Sequence, residues 1–306
     1  MTESEIALSQ ENSPAQPSSL EPANVSLQKD TSDGFTVQFW GVRGSVPVPG
    51  ADTMRYGGNT ACIEVLVGAQ RLIFDGGTGL RVLGKHLLGQ PSGIKAQIFF
   101  THTHWDRIQG FPFFLPAFET GNVFEIYGAP APNGASIKQR LTDQMLRPNF
   151  FTPLQQMQAQ LVFHNISAGS VISLGDVVVE TIGLNHLTGA LGYRVSWNGH
   201  SLVYATDTDH TQQHIDPNLM YLAAGADVLI FDGTYADSDY YNRGTQEALP
   251  WEMGVEAAKS ANVKELILFH HDPRHDDDYL DQLEIKVQNH FANARLAREG
   301  MVLQLA

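Results

Sequence analysis

Apolar residues run along this chain in short stretches. From Phe35 onward, stretches rich in Val, Ile, Leu and Phe are bounded by Gly, Asn, Asp and Pro, the pattern of buried strands separated by turns. The first half predicts strands near 35–40, 61–67, 71–74, 96–100 and 123–128, with helices near 80–89 and 135–147. The second half predicts strands near 177–184, 190–197, 201–206, 227–231 and 265–269, helices near 252–261 and 277–296, and a last strand near 301–305. Many strands and few, late-placed helices point to two mixed sheets packed face to face with helices outside them. Residues 1–33 break the pattern: they are rich in Ser, Glu, Gln, Asn and Pro and have few large apolar side chains. Such a segment cannot bury enough surface to offset the entropy of ordering, so it is expected to be a disordered acidic tail. That leaves residues 34–306 as one domain, a length that a single core can serve.

The polar residues that end the apolar stretches carry the chemistry. Ile98-Phe99-Phe100 runs into Thr101-His102-Thr103-His104-Trp105-Asp106-Arg107, Val177–Leu184 into His186, Leu202–Ala205 into Asp207, and Leu266–Phe269 into His270. An isolated H-x-H is a weak motif. Its recurrence with other metal-capable side chains at strand ends is not, because loops at strand ends converge while the strands hold them rigidly. Asp75, after Leu72-Ile73-Phe74 and before Gly76-Gly77-Thr78-Gly79, lacks the lysine and spacing of a phosphate loop. It reads instead as a carboxylate on a tight turn that orients a ligand imidazole.

Composition narrows the partners. With 33 acidic against 19 basic residues and a formal charge of −14, the average field repels nucleic acid, anionic membrane and long polyanions, while a small anion held at a metal escapes that objection. The single Cys62 lies in an apolar stretch and reads as core. No apolar run approaches the roughly 18 residues of a membrane span, and the N-terminus lacks the features of a secretory signal, so a cytoplasmic protein is expected. The aromatics Trp105, Phe111, Phe113, Phe114 and Phe118 lie in and just after the metal-capable stretch. A run this apolar is read as core or as a contact between copies in a homo-oligomer, not as a substrate platform.

In their order His102, His104, Asp106, His186, Asp207, His270, these residues resemble the metallo-β-lactamase superfamily, and within it the branch of RNase Z and cyclic phosphodiesterases. The resemblance extends from about residue 35 to 306 and includes Gly41-Val42-Arg43-Gly44-Ser45, Tyr56-Gly57-Gly58-Asn59-Thr60, Asp75-Gly76-Gly77-Thr78-Gly79 and Leu268-Phe269-His270-His271-Asp272-Pro273. It implies an α/β fold, a four-layer αββα sandwich, and a metal-dependent hydrolase with one or two zinc ions, manganese and iron being the alternatives. By resemblance, His102, His104 and His186 hold a first ion, Asp106 and His270 a second, and Asp207 bridges them. Asp106 and Asp207 are therefore the catalytic carboxylates. The implied reaction is attack of a metal-held hydroxide on phosphorus, with a small cyclic nucleotide or related phosphodiester as substrate.

Two departures keep other readings open. Arg107 stands where the motif H-x-H-x-D-H has its last His, and a guanidinium has no lone pair to give a metal. It either holds a substrate phosphate as a fixed cation or pairs with Asp106 or Asp207 in a site that no longer works. In addition, Gln246-Glu247-Ala248-Leu249-Pro250-Trp251 has no His where this branch often carries a His-Ser-Thr-like segment. The general acid must then come from elsewhere, with His271, His210 and His275 as candidates and His271 a candidate substrate contact. A catalytically weakened regulator that binds a ligand or partner is one alternative function, and a thioesterase or lactonase of the same superfamily is another.

Overall fold

The computed structural model describes residues 34–90, 93–186, 189–208, 215–233 and 250–306. The expected tail, His210 and the 246–249 segment lie outside them. Two seven-stranded sheets are present. The first has the order β14-β1-β2-β3-β4-β5-β6, built from β1 (Phe35–Gly41), β2 (Cys62–Val67), β3 (Gln70–Phe74), β4 (Lys95–Phe99), β5 (Val123–Gly128), β6 (Gln160–Asn165) and β14 (Val302–Gln304). The second has the order β13-β12-β11-β10-β9-β8-β7, built from β7 (Val171–Leu174), β8 (Val177–Leu184), β9 (Ala190–Trp197), β10 (His200–Ala205), β11 (Val228–Asp232), β12 (Glu265–Phe269) and β13 (Ala294–Leu296).

Period-2 alternation explains the layering. In β10, β11 and β12 the residues Leu202, Tyr204, Val228, Ile230, Ile267 and Phe269 face the first sheet's Phe35, Val37, Phe39, Val65 and Phe74 in one core. Their neighbours Val203, Ala205, Leu229, Phe231, Leu266 and Leu268 face outward into a second core. That outer core is covered by α4 (Pro217–Ala223), α5 (Pro250–Ser260) and α6 (Asp277–Gln288). On the far side, α1 (Thr78–Leu87) and α3 (Ile137–Asp143), with the short α2 (Trp105–Ile108) between them in sequence, cover the outward residues of the first sheet, such as Ile73, Ile98 and Ile126. The expected αββα sandwich is therefore observed. Strands buried on both faces read as continuous apolar runs, which is why they were visible in the sequence.

The differences are local. The 277–296 helix stops at Gln288, and Ala294–Leu296 pairs in parallel with Leu266–Leu268. Sheet pairing there overrides the helix propensity of Ala and Leu. The edge strands β6 and β7 and the short α4 were not predicted. The edge strands have half-buried or alternately exposed positions and so little apolar contrast. The start of α4 did carry a signal, since Asp216 caps the helix through Asn218 N and Pro217 holds its first turn.

Each sheet has an antiparallel and a parallel half. The loops after the parallel-paired strands β3, β4, β10 and β12, and after β8, supply the residues singled out above. No helix among the described residues is long and apolar enough to cross a membrane.

Candidate metal centre

The strand-end residues form two groups. His102, His104 and His186 place one ring nitrogen each within 4.8 Å of one another, and the same limit gathers Asp207, Asp232 and His270. Asp106 joins the second group through its Oδ2, which accepts from His270 Nε2 at 2.9 Å and from Ser45 N at 3.2 Å. Asp207, expected to bridge two ions, is gathered with Asp232 and His270 and not with the imidazole group.

Backbone shape sets these positions. Asp75, Asp207 and His270 each follow a strand and have φ of 61°, 58° and 60°, as does Ser45 at 60°. The left-handed region is sparsely used by non-glycine residues and marks places where surrounding structure holds the chain against its preference. Gly44 is bare for a reason: a Cβ there would lie 2.7 Å from His270 Nε2, so only glycine lets the imidazole lie against the backbone.

His102 is held in one tautomer by its neighbours. Asp75 accepts from Thr101 N at 2.9 Å and from Thr101 Oγ1 at 3.0 Å, and Thr101 Oγ1 lies 3.0 Å from His102 Nδ1. Since the threonine hydroxyl donates to Asp75, it accepts from Nδ1–H, which leaves the lone pair on Nε2. His102 Nε2 is buried and has no hydrogen-bond partner. Burial, with Arg107 and His104 adding to it, pushes His102 well below the ordinary histidine pKa, so the ring is neutral. Rings of His104 and His186 stand edge-on to it, at centroid distances of 4.3 and 5.0 Å. An inward lone pair among three imidazoles is the donor set of a zinc-type ion, and these residues fit one.

Around Arg107 the arrangement is different. Its side chain is fully buried. Nη1 donates to Asp75 Oδ2 and to Tyr204 OH, both at 3.1 Å, and Nη2 donates to Asp207 Oδ2. Nε lies 3.5 Å from Asp106 Oδ2, an ionic contact too long for a good hydrogen bond. Tyr204 OH donates to Asp75 Oδ2 at 2.9 Å, Asp232 accepts from Asp207 N, and His270 Nδ1 lies 3.3 Å from Asp232 Oδ1. Burial and Arg107 oppose a proton on His270, but Asp207 and the hydrogen bonds to Asp106 and Asp232 outweigh them and push it up to about 10.

Asp75 accepts hydrogen bonds from Thr101 beside the imidazoles and from Arg107 and Tyr204 in the other group, and so touches both. Arg107 and His271 were candidate substrate contacts, a role that needs an exposed atom. Arg107 has none, and His271 is 1% exposed with Nε2 donating to Ala297 O at 2.7 Å. His275 is stacked on Tyr279. Three participants were missed by sequence reasoning: Thr101, Tyr204 and Asp232. Asp232 ends the apolar stretch Val228–Phe231, so the strand-end rule that found the others could have found it. Tyr204 lies inside a strand and carried no such signal.

Comparison with known proteins identifies the family and the fold. The profile of the β-lactamase superfamily domain matches residues 70–271. A ribonuclease Z of Prochlorococcus marinus (strain MIT 9515) is 23% identical over 331 aligned positions, covering 89% of this chain and 100% of that protein. The metallo-β-lactamase fold protein YhfI of Bacillus subtilis superposes with a TM-score of 0.63 at 20% identity, over 89% of this chain and 99% of its own. A diphosphatase of the PhnP family superposes at 0.60 with 18% identity, over 88% and 97%.

Proposed function

The chain belongs to the metallo-β-lactamase superfamily, in its RNase Z and phosphodiesterase-like branch, and on that premise we propose that it is a metal-dependent hydrolase of small phosphodiesters such as a cyclic nucleotide. The observation that carries the proposal is the neutral, buried His102 with its unpartnered Nε2 directed among His104 and His186. Zinc is the favoured ion for this donor set, with manganese or iron as substitutes. When bound, such an ion supplies a Lewis acid and an ionised water at neutral pH.

The protein's own residues do the rest. Thr101 and Asp75 fix the His102 tautomer and hold the ring from behind. Asp106 and Asp207 are fixed by Arg107 and His270. Burial opposes ionisation of both, but the hydrogen bond from His270 and the Arg107 charge push Asp106 well below the ordinary carboxylate range, whereas burial outweighs them at Asp207 and pushes it up to about 7. The names of several relatives suggest RNA as substrate. Against this, an excess of 33 acidic over 19 basic residues works against a long polyanion and leaves a small diester as the better fit.

A second reading, a ligand-binding regulator, is favoured by the closed pocket around Arg107. Zinc content after purification without chelator, followed by turnover of bis-p-nitrophenyl phosphate, cyclic nucleotides and precursor tRNA, separates the readings. Faster cleavage of tRNA than of any small diester would sink the substrate assignment. A zinc-loaded protein that turns over none of them would leave the regulator.

A further inference from the structure

The family resemblance implies a second ion near Asp106, Asp207 and His270, and the residues present do not fit one. Asp207, Asp232 and His270 are close enough to share an ion, but both ring nitrogens of His270 and one oxygen of each carboxylate are already engaged. Asp207 Oδ2 is taken by Arg107 Nη2, Asp106 Oδ2 by His270 Nε2 and Ser45 N, and Asp232 Oδ2 by Asp207 N, while Asp232 Oδ1 faces His270 Nδ1 in an ionic contact of 3.3 Å. We propose that Arg107 is a built-in cation standing in the place of the second metal, so that the centre takes a single ion, at His102, His104 and His186, and its carboxylate pocket folds without any.

Charge explains why a cation is needed there. Asp75, Asp106, Asp207 and Asp232 are all buried, at 0%, 4%, 8% and 6% exposure, and carboxylates removed from water must be neutralised or paired. Arg107 reaches three of the four, and His270 lies against the fourth. Attachment makes this cation permanent. The Arg107 carbonyl accepts from Gly76 N at 2.6 Å, next to Asp75, and Arg107 N donates to His104 O at 3.0 Å. The guanidinium is therefore held to the same two loops that carry Asp75 and the imidazoles. A fixed fork also matches several carboxylates at once, which a lysine cannot do. The same contacts exclude Arg107 as a substrate clamp, since no face of it is left for a phosphate.

The single-ion part of this inference rests on the metal-site reading above; the charge part does not. The full-length chain, stripped with chelator, is titrated with zinc by calorimetry and equilibrium dialysis, and its metal-free form is melted. One equivalent is expected in the parent and two in Arg107→His, which restores an imidazole and opens the pocket. Two equivalents in the parent, or one in Arg107→His, would overturn the substitution of metal by arginine. In the metal-free protein, Arg107→Gln should melt at least about 5 °C lower, and Arg107→Lys, which keeps the charge, should recover part of the loss. An unchanged melting temperature for Arg107→Gln overturns the proposal. If Arg107→Gln does not fold, the Arg107→Lys melt and the parent's stoichiometry still decide. No zinc in the parent strikes the imidazole site and leaves the melting comparison to judge Arg107.

Discussion

Around His102 the protein buries a nitrogen lone pair and gives it nothing to bind, whereas a few ångströms away it surrounds Arg107 with carboxylates and a tyrosine until every terminal nitrogen is engaged. Both regions are built from loops at strand ends, and Asp75 belongs to both. The contrast separates two uses of buried polarity. An unsatisfied buried group costs stability and is kept where a ligand will satisfy it, while a closed ion network supports the fold and offers a ligand nothing. Binding and support are thus divided between neighbouring residues of one motif, His102 and Arg107.

The largest effect should come from removing the binding half. His102→Ala is expected to weaken zinc binding by more than about 100-fold, since even loss of a group that only orients a ligand costs 10- to 100-fold. Metal-free stability should change by less than about 1 kcal/mol, because the ring gives up one hydrogen bond and relieves one unpartnered nitrogen. Chelator competition and urea unfolding measure the two; retention of full zinc affinity would disprove the site.

Next comes the residue the two halves share. Asp75→Ala removes the acceptor of Thr101, Tyr204 and Arg107 together. It should lower the unfolding free energy by about 3–5 kcal/mol, as when one partner of a buried ion pair is deleted. Zinc affinity should fall as well. A protein that unfolds at the parent's urea midpoint would show that the Arg107 pocket does not support the fold.

The two halves were not equally legible in the sequence. His102, His104 and His186 sit at strand ends, where apolar runs stop, and the strands themselves were visible because both faces are buried. Arg107 was visible as a departure from the family pattern, but its role was not: whether a guanidinium faces a substrate or carboxylates depends on burial, and sequence spacing does not encode that. Tyr204 was hidden for another reason. Its ring packs in the inter-sheet core beside Phe74 and Phe269, so the apolar pattern accounts for it completely, and only its hydroxyl belongs to the site. Asp232 was overlooked although it follows the rule that revealed Asp207.

A smaller change tests how the binding half is held. Thr101→Val keeps the shape and removes the oxygen between Asp75 and His102 Nδ1, so the tautomer that turns its lone pair inward is no longer enforced. Zinc affinity should drop about 10-fold, and Thr101→Ser should restore it. A valine variant that binds zinc like the parent would mean that the ring is oriented by packing alone.

The smallest effect, and the cleanest separation of the halves, is expected from Tyr204→Phe. The ring stays in the inter-sheet core, so packing is preserved, and what is lost is one hydroxyl that donates to Asp75 and accepts from Arg107. Hydrogen bonds to charged groups are worth about 1.5–3 kcal/mol each. The loss here should sit near the lower end, about 1–2 kcal/mol, because Asp75 and Arg107 keep each other as partners. Tyr204 touches only Asp75 Oδ2; Thr101 Oγ1 also lies 3.1 Å from that oxygen, but Thr101 N and Oγ1 both keep Oδ1, at 2.9 and 3.0 Å, when Tyr204 is cut back. The imidazole group should therefore not feel the change, and zinc affinity should stay within about twofold. Urea unfolding of the metal-free protein and zinc titration of the same sample give both numbers. If affinity falls as far as in Thr101→Val, the two halves are coupled through Asp75, and the division of labour between His102 and Arg107 must be given up.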